Sequence, residues 1–134
     1  HRDTKKPFVT FIAVPFPGGM GARPSKDGID VIATDLNNEM NFPIEAAEMA
    51  YPVRFDYVHL WPDSGGPGRY RGGLGYTARA VWLGDRAVLS HRRDRHDFAP
   101  WGLEGGHSAP RCRTDLVRRD GRREALPSKI LTHL

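Results

Sequence analysis

The sequence predicts a mainly β fold of the α+β kind, with antiparallel strands and hairpins, one short helix and long loops rich in glycine and proline. Three observations predict it. Val53, Phe55 and Tyr57 alternate with Arg54 and Asp56, the period of a strand with one buried face. Helix signals at both ends of a segment gather at 41–51. The chain of 134 residues holds 15 Gly and 11 Pro without any repeat, a composition that builds loops rather than a collagen-like rod.

Taken in order, Phe8–Val14 is apolar on both alternating faces and rich in β-branched and aromatic residues, so it reads as a strand buried on two sides. A long Gly/Pro loop follows from Phe16 to Gly28, and Ile29–Thr34 reads as a second short strand. Asn41–Tyr51 reads as the helix, with Asn41 as cap, Pro43 in the first turn, Glu45 early and Pro52 as the stop. The alternating strand from Val53 leads into Trp61–Gly75, where six glycines and two prolines fill fifteen positions. So little there can pack that backbone geometry itself must matter, either in an anion- or substrate-facing loop or in an elaborate connection between strands. Leu74–Leu83 and Arg86–Arg92 are expected to form a hairpin about Gly84-Asp85. Arg111–Arg118 and Arg122–Leu126 are expected to form another about Asp120-Gly121. Ser128–Leu134 ends without a closing turn, which, with the absence of an initiator Met, suggests part of a larger protein.

Composition bounds the function. The length suits one modest domain with a limited core. Mean hydropathy is −0.54, and no apolar run approaches the roughly 18 residues of a membrane helix. Cys112 stands alone, which rules out an internal disulfide and suits a reducing compartment, with the cytoplasm as expectation. A net charge of +4, concentrated in arginines after position 68, suits either phosphate neutralisation or docking on an acidic partner subunit. A basic β-rich module binding nucleic acid through Tyr70 and Trp101 is therefore an alternative reading. Against it, those aromatics stand beside loop glycines rather than alternating with basic residues along a strand.

The motifs narrow the chemistry. Gly18–Lys26 resembles a phosphate loop but lacks the Lys-Ser/Thr order and the helix that such a loop opens. The histidines are scattered, and His91, Asp94, His96 and Asp97 on a strand end are not expected to face one way around a metal. Ser64 and Ser108 lack the flanking spacing of a nucleophile elbow, and Cys112 in a strand reads as a small buried hydrophobe. Asn37, Asn38, Glu39, Asn41 and Glu45 gather before the helix, where amides and carboxylates either orient a polar substrate or form a capping network.

The loops in their order resemble one family: the B-type subunits of ATP-dependent hydantoinases and 5-oxoprolinases, with the related large subunits of ketone carboxylases. The matching residues are Gly-Gly-Met-Gly-Ala-Arg-Pro-Ser-Lys-Asp-Gly at 18–28, then Asn38, Asn41, Pro43, Glu45, Glu48 and Tyr51-Pro52. Pro62–Arg69, Arg71–Gly75, Asp94-Arg95-His96, Pro100–Leu103, Gly105-Gly106 and Leu126–Lys129 complete the series. The resemblance implies that residues 1–134 are one segment, the C-terminal β-rich part of such a subunit. It implies cyclic-amide hydrolysis or ketone carboxylation in a hetero-oligomer, with Asn38, Asn41, Glu45 and Arg95 lining the site. ATP and Mg would bind an A-type ATPase partner subunit, and a divalent metal would bind the N-terminal part of the B-type subunit. None of these would bind this chain alone, and nucleic acid and membrane would not be partners. Hydantoinase-like members carry a Thr/His/Arg-rich segment where this chain has Asp35, Asn37, Glu39, Met40 and Phe42, a change that suits a less polar substrate.

Overall fold

A computed structural model describes residues 6–11, 18–33 and 39–134. Among the described residues it is mainly β with one helix, as expected, in the order α1 (Ile44–Ala50), β1 (Val53–Leu60), β2 (Tyr76–Trp82), β3 (Val88–Arg92), β4 (Asp115–Val117), β5 (Arg123–Ala125) and β6 (Lys129–His133). These strands form three antiparallel pairs, β1–β2, β3–β6 and β4–β5.

The helix is shorter than its sequence signals. Pro43, not Asn41, is the N-cap; it gives no side-chain cap bond, and its extended ψ of 131° lets its carbonyl accept the first helical bond from Ala47. Ala47 is fully buried, and the Glu48 carboxylate accepts the Phe55 amide at 2.6 Å, which ties the helix to β1. Backbone torsion ends the helix at Tyr51, just before Pro52.

Strand β1 departs from simple alternation. Its register slips between Phe55 and Tyr57, so Asp56 bulges out and holds Arg54 and Arg79 at 3.0 and 3.2 Å. One extra residue moves the inward face from odd to even positions. Val53 is therefore buried and Val58 half-buried, while Tyr57 turns outward and stacks on His59.

Three expected strand assignments change. Phe8–Phe11 is not a strand, with Val9 and Phe11 exposed, and the rest of that run lies outside the described residues. Residues 29–33 are bent rather than extended, with Val31 at φ 39°, because their amides serve the neighbouring glycine loop instead of a sheet. The hairpin expected about Gly84-Asp85 does not form. Strand β2 returns to β1 across Trp61–Gly75, and β3 pairs with the C-terminal β6, His91 opposite Ile130. Local turn signals name a turn but not which strands it joins, and long-range pairing overrides proximity here. The β4–β5 hairpin forms as expected, with Gly121 at φ 86° and Arg118 clasping both oxygens of Glu124 at 3.1 and 3.0 Å.

Little apolar surface is enclosed. Among the described residues only Ala47, Val53 and Leu126 are buried hydrophobics, while Met40, Phe98, Trp101 and Leu103 stand open. The chain exposes 10137 Å², whereas a compact monomer of its mass exposes about 7,000 Å².

Candidate functional site

The two glycine loops are built against each other. Gly73 donates to Met20 at 2.7 Å, Met20 to Ile29 at 2.9 Å and Gly28 to Arg71 at 2.8 Å. The fit is backbone on backbone: a Cβ on Gly73 would stand 2.0 Å from the Ile29 carbonyl oxygen, and one on Gly19 would stand 1.9 Å from that of Gly73. Only glycine permits such an approach. Two carboxylates brace the joint. Asp27 accepts the Arg71 amide at 2.8 Å, and Asp30 accepts both the Leu74 amide at 2.7 Å and the Arg71 guanidinium at 3.1 Å. The Leu74 amide, with Arg71 beside it, holds the Asp30 carboxyl below the usual carboxylate range.

Within Trp61–Gly75, the Ser64 hydroxyl donates to the Trp61 carbonyl and accepts the Gly75 amide, each at 2.7 Å. Ser64 is buried and its hydrogen is committed, so its place is to close the loop that joins β1 to β2, not to attack a substrate. His107 donates to Pro67 at 2.8 Å, which brings the third glycine segment, 102–106, against the same loop.

The expected site residues fall in different places. Asn38 lies outside the described residues. Asn41 lines a shallow depression with Phe11, Glu39, Met40, Phe42 and Pro43. Glu45 is exposed in the first turn of α1. Arg95 is exposed at φ 63°, with its guanidinium 5.4 Å from the centre of the Trp101 ring and its carbonyl accepting the Cys112 amide at 2.8 Å. A non-glycine residue held at positive φ stores strain, a condition that clusters at functional sites.

The histidine cluster divides between two sets of partners. His91 and His96 do converge, with both Nε2 atoms on the Thr114 hydroxyl at 3.0 and 3.2 Å, because Arg95 turns the chain back at positive φ. Asp94 points instead to Lys129. Thr114 carried no signal in the sequence, since nothing local marks which distant side chain will reach it. Cys112, expected in a strand as a buried hydrophobe, is exposed and precedes β4. Among the described residues no three of His, Cys, Asp and Glu gather as a metal would require.

Fold and loops together define a β-rich, glycine-braced segment with much apolar surface exposed. A family model described as Hydantoinase B/oxoprolinase matches residues 1–134, and the chain belongs to that family. Similar proteins include a putative D-/L-hydantoinase B-type subunit of Pseudomonas sp. (strain NS671), 38% identical over 66% of this chain and 15% of that protein. 5-Oxoprolinase 1 of Arabidopsis thaliana is 32% identical over 87% of the chain and 9% of its own length. The acetone carboxylase alpha subunit of Xanthobacter autotrophicus is 33% identical over 68% and 12% respectively. The chain thus spans less than a sixth of the length of each of these relatives. No solved structure matches it.

Proposed function

We propose that this chain is the C-terminal β-rich part of a B-type subunit in an ATP-dependent cyclic-amide hydrolase of the hydantoinase/5-oxoprolinase type. In this reading it acts with the N-terminal part of the B-type subunit and an A-type ATPase subunit in a cytoplasmic hetero-oligomer. ATP and Mg belong to the ATPase partner, and a divalent metal belongs to the N-terminal part. The observation that carries the reading is the family match over 1–134, taken with an apolar surface that the chain does not cover by itself. Asn38, Asn41, Glu45 and Arg95 line the site, completed by groups from the rest of the enzyme. The glycine loops give that site its rigid wall, since backbone packed on backbone cannot drift as side chains do.

A related ketone carboxylase is the second reading, supported by the acetone carboxylase relative and by the apolar Phe11, Met40 and Phe42 beside Asn41. Reconstitution of the full B-type polypeptide with its A-type partner, assayed for ATP-dependent turnover of hydantoin, 5-oxoproline, acetone and aryl ketones, separates the two. Turnover of a cyclic amide supports the first reading and turnover of a ketone with bicarbonate supports the second. Turnover of none by an intact assembly refutes both.

A further inference from the structure

Four polar contacts meet through the Thr114 side chain. His91, on β3 and 6% exposed, places Nδ1 3.0 Å from the Pro127 carbonyl oxygen and Nε2 3.0 Å from Thr114 Oγ1. His96 repeats the arrangement, with Nε2 3.2 Å from the same hydroxyl and Nδ1 3.2 Å from the Asp94 carbonyl oxygen. A carbonyl oxygen only accepts, so each Nδ1 carries a hydrogen. The hydroxyl has one hydrogen and can donate to one Nε2 only. To complete the set, the other Nε2 must donate to the oxygen, and that imidazole is then protonated on both nitrogens.

Proton counting makes this a one-proton site. With both rings neutral, lone pairs oppose each other across one of the two gaps. With both rings charged, like charges face each other at a ring-centroid distance of 5.4 Å, one of them buried. All four bonds form with least repulsion when the pair holds one extra proton. As His96 Nε2 passes its proton to Oγ1 and Oγ1 passes its own to His91 Nε2, the charge moves between rings with nothing else displaced. Burial of His91 disfavours the charge on that ring.

The site stands where two sheets join. Thr114 leads into β4 and its carbonyl accepts the Leu126 amide at 2.9 Å, while Ser128 and Arg93 exchange hydrogen bonds between the β6 entry and the β3 exit. The charges around it are Arg92 and Arg93 beside His91, Asp94 with Lys129 beside His96, and Asp115, held by Arg113, on the β4 side. The arginines oppose a second proton, and Asp94 supports the first. We propose that His91, Thr114 and His96 form a one-proton latch between the β3–β6 and β4–β5 sheets, closed when the pair is singly protonated and loosened when it gains or loses a proton.

Hydrogen exchange read by mass spectrometry on the full-length protein in its assembly tests this, with peptides covering 88–96 and 112–129 and rates corrected for intrinsic pH dependence. Protection should pass through a maximum between about pH 5 and about pH 8 and fall about fivefold on either side, the worth of one net hydrogen bond. Thr114→Val should flatten the profile. His96→Gln, whose amide donates to Thr114 without titrating, should keep protection on the alkaline side. A flat profile in the native protein overturns the latch, as does a Thr114→Val profile with the native maximum. If Thr114→Val does not fold, His96→Gln decides alone: persistent alkaline loss overturns the proposal, and its abolition supports it.

Discussion

Asp30 and Leu74, 44 positions apart, are joined by a 2.7 Å hydrogen bond from the Leu74 amide to the Asp30 carboxylate, and the same oxygen holds the Arg71 guanidinium at 3.1 Å. This single oxygen fastens the end of one glycine loop to the end of the other. Its pKa is lowered first by that amide and then by Arg71, so ionised Asp30 is favoured in the folded state. The stability it supplies is present above the unfolded carboxyl value of about 3.9 and is lost as pH falls through the lower folded value. Asp30→Asn should therefore lower the denaturation midpoint at neutral pH and remove that part of the acid loss. Identical acid profiles for the two proteins would contradict the role assigned to this carboxylate.

Gly73→Ala should destabilise by at least about 2 kcal/mol, because the added methyl meets a carbonyl oxygen that belongs to rigid backbone. Gly21→Ala supplies the control. Nothing lies within 4 Å of its added Cβ, so its effect should stay within about 0.5 kcal/mol. Urea denaturation of the two variants should rank them in that order.

Ser64→Ala leaves the Gly75 amide without its acceptor in a buried place, at a cost of about 1–3 kcal/mol. Turnover per assembled enzyme should nonetheless match the native value. A collapse of kcat with assembly intact would mean that the hydroxyl acts on substrate.

His91 is held below the ordinary histidine range, chiefly by burial and further by the positive charges of His96, Arg93 and Arg92. The neutral ring is thus favoured on folding. Its contribution is complete above the unfolded value of about 6.5 and declines as pH falls through the lower folded value. Denaturation curves taken across that window should show acid destabilisation in the native protein that is reduced in His91→Asn. An unchanged slope would remove His91 from the account of acid sensitivity.

Arg95→Ala should leave the free energy of unfolding within about 1 kcal/mol, since the side chain is exposed and stacks on Trp101. In the assembled enzyme it should lower kcat/KM by about tenfold or more if the guanidinium reaches substrate, about the loss of one charge-assisted hydrogen bond. Native turnover with native assembly would confine Arg95 to a structural part.

Much of the fold was legible because its causes are local. The β-branched and aromatic residues of 53–60, the Asp120-Gly121 turn and the helix formers around Ala47 act within a few residues of themselves, and each produced its element. The bulge at Asp56 was not legible, because it depends on two arginines, one of them across the sheet. The candidate site was legible only as residue types in order. That Arg95 would meet Trp101 while His96 met Thr114 depends on one left-handed backbone angle.

By itself, the sequence determined the fold class, the glycine loops and the family, since these reside in composition, periodicity and the order of motifs. Only the tertiary structure decided that β2 returns to β1, that β3 takes β6 and that the loops 18–28 and 61–75 brace each other. The physical reason is that a glycine announces freedom of its own backbone but not which distant carbonyl will fill the space its missing Cβ leaves. Pairing is settled by the sum of long-range hydrogen bonds and close contacts, and no short stretch of chain contains that sum.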